Sequence, residues 1–284
     1  MTIDISLVFA TFNRNEIVEK LLQELGDIKD ECEVIVIDDG SFSPVYPTPP
    51  EVKVCRHQKN MGSPKSWNDG IEAATRKVVL TLPDDIHLKF GLDGLKELSE
   101  MAQDKVVGLK VVDKSSVAFN HRKLGKLIYW LSGQVFPMHD DKAGFADFVS
   151  GTMAFPRDIP IRFDENLKGN GFREETDFQL RARRAGYPVY YFPKLALEHD
   201  EIRRGGQSDR EESNWENHRY FLRKNYHRTW RIKLGFYWIY ATLRNLSQPQ
   251  TTFPNPLEFY KGLLKFEIGW VSLFSILTIL LIFR

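Results

Sequence analysis

The sequence predicts an α/β fold with a mostly parallel sheet that is covered by helices on both faces. Short, mainly apolar runs occupy residues 5–9, 34–37, 52–55 and 78–82. Between them, apolar residues recur every three or four positions, which is the spacing of an amphipathic helix. Apolar strands that alternate with helices are typical of parallel sheets whose two faces are both buried.

The remaining elements follow from the same periodicities. Helices are predicted at residues 16–25, 64–75, 92–101 and 176–185, and further strands at 106–112, 147–155, 189–192 and 196–197. Residues 114–147 have weaker periodicity, so we expect a loop-rich insertion or connection there. We expect the α/β domain to span residues 1–215 and a basic, aromatic, helical region to span residues 216–284.

Composition excludes several classes of protein. The 284 residues are 42% hydrophobic and 27% charged, which is ordinary for a globular chain. A formal net charge of +1 provides no overall attraction to nucleic acid, and we expect no nucleic-acid partner. Two cysteines make neither a disulfide framework nor a zinc cluster. The first residues lack a basic and an apolar stretch, so no secretory signal is expected.

The C-terminal region points to a membrane surface. Residues 217–257 contain no Asp or Glu but seven Lys and Arg, interleaved with Trp and Tyr. Such side chains suit the headgroup region of an anionic leaflet. Residues 268–283 are apolar but would reach about 24 Å, short of the hydrocarbon core. We expect attachment to the cytoplasmic face of a membrane; a solvated basic face and a buried helix are the alternatives.

Polar clusters directly follow three predicted strands, at residues 11–14, 38–41 and 84–85. Ligands of parallel sheets bind beyond the carboxyl ends of the strands, so these clusters predict one site. The chain lacks both GxGxxG after the first strand and a Walker loop, which argues against a dinucleotide-binding dehydrogenase and a P-loop enzyme. Asp84 and Asp85 could hold Mg²⁺ or Mn²⁺, which would bridge them to a nucleotide diphosphate.

Five motifs carry a resemblance to a known family. They are VFATFNR (8–14), VIDDGS (36–41), NMG with WNDG (60–70), LPDD (82–85) and EETDFQLR with RAGY (174–187). In this order, over roughly residues 3–205, the chain resembles family 2 glycosyltransferases with the GT-A fold. The resemblance implies transfer of a sugar, with inversion, from a UDP, dTDP or GDP sugar to a hydroxyl of a glycan or lipid-linked glycan. It also implies Mn²⁺ or Mg²⁺ as cofactor.

The resemblance further implies roles for individual residues. It assigns nucleotide binding to Thr11, Phe12, Arg14, Asp39 and Asp84, metal binding to Asp85 and His199, and the catalytic base to Glu175. The family more often has Asp at the base position, so Glu174 and Asp177 remain alternatives. Acidic residues there would also stabilise the start of a helix.

Other roles stay open at the sequence level. Asp38 is expected to shape its turn, and Asp39 could do the same through an Asx turn. His199 could be structural, and His87 is expected to be solvated. Residues 203–206 could close over a diphosphate or form a solvated charged loop. A polyprenyl-phosphate sugar synthase is the alternative enzyme, and a catalytically silent nucleotide-sugar-binding or membrane-scaffold protein is the alternative of another class.

Overall fold

The computed structural model describes residues 3–45, 52–113, 122–135, 141–169, 171–199 and 210–247. The chain forms two compact units, one of residues 1–120 with 136–208 and one of residues 121–135 with 209–284. The second unit therefore includes a segment that the sequence-based boundaries assign to the first domain. The predicted apolar segment at 268–283 and the loop at 203–206 lie outside the described residues.

The elements alternate along the chain much as predicted. The strands are β1 (Ile5–Thr11), β2 (Glu33–Asp38), β3 (Val52–Arg56), β4 (Val78–Pro83), β5 (Ile86–Leu88), β6 (Val106–Asp113), β7 (Gly144–Phe145), β8 (Met153–Pro156) and β9 (Val189–His199). The helices are α1 (Asn15–Glu24), α2 (Ile28–Glu31), α3 (Ser63–Ala73), α4 (Leu92–Met101), α5 (Arg122–Ser132), α6 (Glu174–Arg184), α7 (Arg210–Asn225) and α8 (Trp230–Ser247). Helices α5, α7 and α8 belong to the second unit.

One mixed sheet organises the first unit, with strand order β3-β2-β1-β4-β8-β6-β9-β5 and β7 paired to β9. Strands β3, β2, β1 and β4 are parallel neighbours, so their carboxyl ends meet at one edge. Strand β8 is antiparallel to β4 and β6, and β9 returns parallel to β6. The predicted α/β fold with a central sheet flanked by helices is confirmed. Among the eight strand pairs of the described residues, four are parallel and four are antiparallel.

Alternate residues of the central strands bury against the two helical layers. Leu7 of β1 belongs to a cluster with Leu21 of α1 and Leu95 of α4. Val8, the next residue, belongs to the opposite cluster, which also contains Ile71 of α3 and Phe178 of α6. Side chains of successive strand residues point to opposite faces, so an uninterrupted apolar strand requires this double cover.

Three sequence-based expectations need correction. Residues 114–147 are not merely loop, because they contain α5 and β7. The expected strand at 147–155 pairs only from Met153, since the backbone N–H and C=O of Val149 bond instead to the side-chain amide of Gln179 at 2.7 and 3.1 Å. The two expected strands at 189–192 and 196–197 are one strand, β9, whose pairing with β6 is irregular between Leu109 and Lys110.

The second unit packs three helices around aromatic side chains. Phe221 and Leu222 of α7 and Tyr237 and Trp238 of α8 are buried. The ammonium of Lys233 donates a hydrogen bond to the backbone carbonyl of Trp130 in α5. Burial lowers the pKa of Lys233. Among the described helices, none combines the length and the hydropathy needed to cross a bilayer.

The contact between β1 and α3 makes a stability prediction at Gly70. A Cβ at this position would lie 2.2 Å from Cγ1 of Val8. Alanine normally stabilises a helix interior by about 1 kcal/mol relative to glycine, but overpacking a core costs about 1–3 kcal/mol. We expect Gly70→Ala to lower the free energy of unfolding in urea. Gly91→Ala, where a Cβ meets nothing within 4 Å, is the control; equal stability of the two variants would contradict the prediction.

Candidate active site

Hydrogen bonds join the loops that follow β1 and β2. The backbone N–H of Asn13 donates to Ser41 Oγ at 2.8 Å, and the N–H of Phe42 donates to Asn13 Oδ1 at 2.8 Å. Asn13 has φ of +57°, a conformation that Asn tolerates better than most residues. Asp38 accepts from the N–H groups of Ser41 and Val45 at 2.9 and 3.2 Å, so it shapes the turn as expected. The loops that follow β1 and β2 are therefore fixed to each other at the carboxyl ends of these strands.

Asp84 and Asp85 follow β4 and share one cation, Arg14. The guanidinium Nη1 of Arg14 lies 2.8 Å from Asp84 Oδ1 and 3.0 Å from Asp85 Oδ2. The hydroxyl of Thr11 donates to Asp84 Oδ2 at 2.6 Å. Burial raises the pKa of Asp84 despite these contacts. The structure therefore brings together four residues that the sequence predicted for the site: Thr11, Arg14, Asp84 and Asp85. The guanidinium of Arg14 pairs with the two carboxylates and is largely shielded from solvent.

His199 reaches Asp85 because β9 ends beside β5. Antiparallel pairing sets His199 opposite Ile86, and His199 Nε2 lies 3.2 Å from Asp85 Oδ1. Burial acts to raise the pKa of Asp85, but the hydrogen bonds and charges of His199 and Arg14 outweigh it and lower that pKa. His87, expected to be solvated, instead contacts Glu24 Oε2 through Nδ1 at 2.5 Å and is partly buried.

The donor set around Asp85 fits a divalent cation only in part. An ion about 2.1 Å from each ligand could contact Asp85 and His199 together, and the carboxylate oxygen of Asp85 suits Mg²⁺ or Mn²⁺. Within the ranges that the structure describes, no three His, Cys, Asp or Glu side chains converge on one point. A cation at this position would therefore have two protein ligands from the described residues and would need further oxygen ligands from water or a phosphate.

Asp39 is held by three donors and is only 5% exposed. The N–H groups of Met61 and Gly62 donate to Oδ1 and Oδ2 at 2.8 and 2.9 Å. Nδ1 of His57 lies 2.7 Å from Asp39 Oδ1. The carboxylate of Asp39 therefore binds the backbone just before α3. These hydrogen bonds are not those of a local Asx turn with Gly40, which was the alternative.

His57 is a site residue that the motifs did not reveal. It directly follows β3, whose Arg56 pairs with Asp38 in the parallel register, so it lies beside Asp39. Its other ring nitrogen, Nε2, lies 2.7 Å from Asp69 Oδ2 on α3. Its position in the sequence could have indicated it, because His57 directly follows a predicted strand that neighbours β2, as the other polar clusters of the site follow theirs.

Acidic residues begin α6, and Glu174 is the most constrained of them. It accepts hydrogen bonds from Ser63 Oγ at 2.8 Å and Trp67 Nε1 at 3.0 Å. Burial and the neighbouring charge of Glu175 raise the pKa of Glu174 well above its ordinary value. The preceding Arg173 has φ of +80°. A Cβ on Gly171 would come within 2.2 Å of Glu174 Oε2, so the approach to α6 leaves no room for a side chain there.

Glu175 and Asp177 differ in what holds them. Asp177 is buried and accepts from Arg181 Nε at 2.7 Å, which is a structural pairing within α6. Glu175 lies against Gly151, and burial raises its pKa, opposed by a hydrogen bond from its own N–H and by the charge of Arg173. Of the three candidates, Glu175 is the carboxylate that no other described side chain holds by a hydrogen bond.

Phe12 and Phe42 form an aromatic pair at the same edge. Their ring centroids are 6.4 Å apart and tilted by 50°. Phe42 is 91% exposed although its backbone N–H is fixed by Asn13. The two rings therefore form an aromatic surface beside the loops that follow β1 and β2.

Comparison with known proteins places these features in context. The sequence profile of glycosyl transferase family 2 matches residues 6–160. A comparison with curated proteins finds no significant match. Residues 1–349 of Staphylococcus aureus TarS, solved with UDP-GlcNAc, are 19% identical with a TM-score of 0.54, over 78% of this chain and 66% of that one. Against a longer TarS structure, the chain covers 39% of that protein, at 20% identity and a TM-score of 0.51.

Two further solved structures are similar. GalNAc-T7, with UDP, GalNAc and Mn²⁺, is 14% identical with a TM-score of 0.59, over 88% of this chain and 52% of that one. The mannosyltransferase PcManGT of Pyrobaculum calidifontis, with GDP-Man and Mn²⁺, is 14% identical with a TM-score of 0.57, over 97% and 84%. These likenesses confirm the GT-A fold. Since the matched segment covers more than half of the sequence, the chain belongs to glycosyl transferase family 2.

Proposed function

We propose that the chain is an inverting, metal-assisted glycosyltransferase that moves a sugar from a nucleotide diphosphate sugar to a hydroxyl of a glycan or lipid-linked glycan. The observation that carries this proposal is the contact between Asp85 and His199 at the edge where Asp39 also lies. The similar structures with UDP-GlcNAc, with UDP and Mn²⁺, and with GDP-Man and Mn²⁺ support a nucleotide-sugar donor.

The proposed reaction is a single displacement. The acceptor oxygen attacks the anomeric carbon on the face opposite the diphosphate, and the bond from that carbon to the phosphate oxygen breaks. Because this single attack comes from the face opposite the leaving group, the configuration inverts. Glu175 takes the acceptor's proton as the new bond forms. Burial suits this role, because a raised pKa makes a carboxylate a stronger base.

The leaving diphosphate gains negative charge as the bond breaks. Asp85 and His199 would hold Mn²⁺ or Mg²⁺, which would neutralise that charge as a Lewis acid. Arg14 and Thr11 fix the carboxylate of Asp84, so that Asp84 can contact the nucleotide beside the cation. In the same proposal, Phe12 packs against the nucleobase and Asp39 accepts a hydrogen bond from it.

The first prediction concerns the base. We expect Glu175→Gln to lower kcat by about 10²–10⁴-fold, the range of general base catalysis, while donor affinity is retained. In the unmodified enzyme, kcat/KM should fall as pH falls through the pKa of Glu175, at a midpoint above the ordinary value of 4.5. Steady-state kinetics and donor titration measure both quantities.

The control for the base is Asp177→Asn, which removes a partner of Arg181 and should reduce stability rather than kcat. Turnover by Glu175→Gln close to that of the unmodified enzyme would contradict the assignment. Loss of turnover in Glu174→Gln, with Glu175→Gln active, would move the base to Glu174.

The second prediction concerns the metal. We expect UDP or another preferred nucleoside diphosphate to stabilise the protein by about 2.7 kcal/mol at 100 times its Kd, and only when Mn²⁺ is present. In thermal unfolding, Asp85→Asn should lose this stabilisation by the nucleotide and Mn²⁺. His87→Ala is the control, because His87 contacts Glu24 instead. Equal stabilisation in EDTA would contradict a metal-assisted site.

We further propose that the second unit attaches to the cytoplasmic face of an anionic membrane. On α5, Leu127 and Trp130 are 51% and 70% exposed and stand three residues apart, on one face. On α8, Ile232 is 49% exposed beside the exposed Arg231. Neither residues 122–135 nor 217–257 contain Asp or Glu, so nothing acidic in them opposes an anionic surface.

The third prediction tests this lipid contact. We expect the double variant Leu127→Ala, Trp130→Ala to bind vesicles of phosphatidylcholine and phosphatidylglycerol at least about tenfold more weakly, since two apolar side chains lose their burial. Sedimentation with vesicles measures the difference. Phe145→Ala, which removes a 72% exposed aromatic side chain of the first unit, is the control. Unchanged binding by the double variant would contradict a role for α5.

A further inference from the structure

A chain of hydrogen-bonded side chains runs from the loop after β2 to α3. Asp39 Oδ1 lies 2.7 Å from His57 Nδ1, and His57 Nε2 lies 2.7 Å from Asp69 Oδ2. The ammonium of Lys65 contacts the other oxygen of Asp69. Each ring nitrogen of His57 faces a carboxylate oxygen, so the ring cannot rotate without losing one of these two contacts. His57 is therefore fixed against Asp39 from the side of α3.

The acceptor capacity of Asp39 is almost filled by this arrangement. A carboxylate offers about four lone-pair positions, two on each oxygen. On Oδ1, one is taken by the N–H of Met61 and one by His57. On Oδ2, one is taken by the N–H of Gly62. Among the contacts of the described residues, a single position on Oδ2 remains for a ligand.

Nucleobases differ in how many donors they present to such a carboxylate. Uracil and thymine have one ring N–H between two carbonyl groups. Guanine presents a ring N–H beside an amino group, and this pair of donors matches both oxygens of one carboxylate. Cytosine and adenine have no ring N–H on that edge. A site that leaves one donor unpaired discriminates strongly against the ligand that carries it.

We propose that His57 is a positioning residue that fills Oδ1 of Asp39 and thereby selects a donor with a uracil or thymine base. The inference rests on the proposed function, in which Asp39 binds the nucleobase. His57 touches no reacting atom. It fixes which oxygen of Asp39 is available, and Asp69 with Lys65 holds the imidazole ring in that orientation.

Two substitutions separate the two contacts of His57. Asparagine places its amide nitrogen near the position of Nδ1, so His57→Asn retains a donor to Asp39. Glutamine places its amide nitrogen near the position of Nε2, so His57→Gln retains only the donor to Asp69. Calorimetric titration of the full chain with UDP, dTDP, GDP and CDP, each with Mn²⁺, gives the affinities, and thermal unfolding confirms that the variants are folded.

The fourth prediction is a pattern of selectivity. We expect UDP and dTDP to bind at least about tenfold more tightly than GDP and CDP, the effect of one unpaired buried donor or acceptor. His57→Gln should reduce the ratio of UDP to GDP affinity by about tenfold, whereas His57→Asn should preserve it. With the UDP or dTDP sugar, His57→Gln should raise KM and leave kcat nearly unchanged.

The outcomes distinguish this inference from the function on which it rests. Equal affinity for GDP and UDP in the unmodified chain, or an unchanged ratio in folded His57→Gln, would overturn the role of His57 and leave a nucleotide-sugar transferase. Failure of the folded chain to bind any of the four nucleotides would overturn the proposed donor as well. The selectivity of the unmodified chain tests the count of acceptor positions even if a variant does not fold.

Discussion

Two aspartates at the end of β4 impose the main electrostatic constraint on the first unit. Asp84 and Asp85 are both buried and adjacent in sequence, and like charges that are shielded from water repel each other more strongly than charges in water. Arg14 contacts both of them, so it lowers that repulsion while itself being largely buried. Burial acts to lower the pKa of Arg14, but the charges of the two aspartates outweigh it and raise that pKa. The positions of the first and fourth strands are thereby coupled through one guanidinium.

The other carboxylates at this edge are sorted by their partners. Asp38 accepts hydrogen bonds from backbone N–H groups of its loop, and Asp177 accepts one from Arg181 within α6. Both carboxylates therefore stabilise local structure. Asp39 is held just as firmly but retains one acceptor position. Glu175 has no described side chain as a hydrogen-bond donor. Residues of the same chemical type thus divide into those that hold the fold and those that remain available to a ligand.

Much of this arrangement was predictable from sequence, and the reason is local. Apolar runs and helical spacing placed the central strands and α3, α4 and α6 within a few residues, because each is set by its own periodicity. The motifs placed Thr11, Arg14, Asp84 and Asp85 at one edge, since parallel strands end together. Their order along the chain also indicated the family.

The features that were missed depend on pairs distant in sequence. His57 lies outside every motif and meets Asp39 only through the β2–β3 register. Gln179, thirty residues away in sequence, binds the backbone of Val149, and the expected strand begins only at Met153. Helix α5 stands in a segment of weak periodicity and belongs to the second unit, where it packs against α8. No local pattern at these positions specifies the distant partner.

Burying acidic side chains at the start of α6 lowers the stability of the fold when they are ionised. Burial raises the pKa of Glu174 above that of the unfolded chain, so the folded state binds this proton more strongly. Its contribution to stability is therefore greatest below the unfolded pKa and is lost as pH rises through the folded one. Burying the ionised carboxylate of Glu174 is unfavourable, and the hydrogen bonds from Ser63 and Trp67 offset part of that free-energy cost. They also fix α6 against α3, and Glu175, the next residue, inherits its position from that contact rather than from hydrogen bonds of its own side chain.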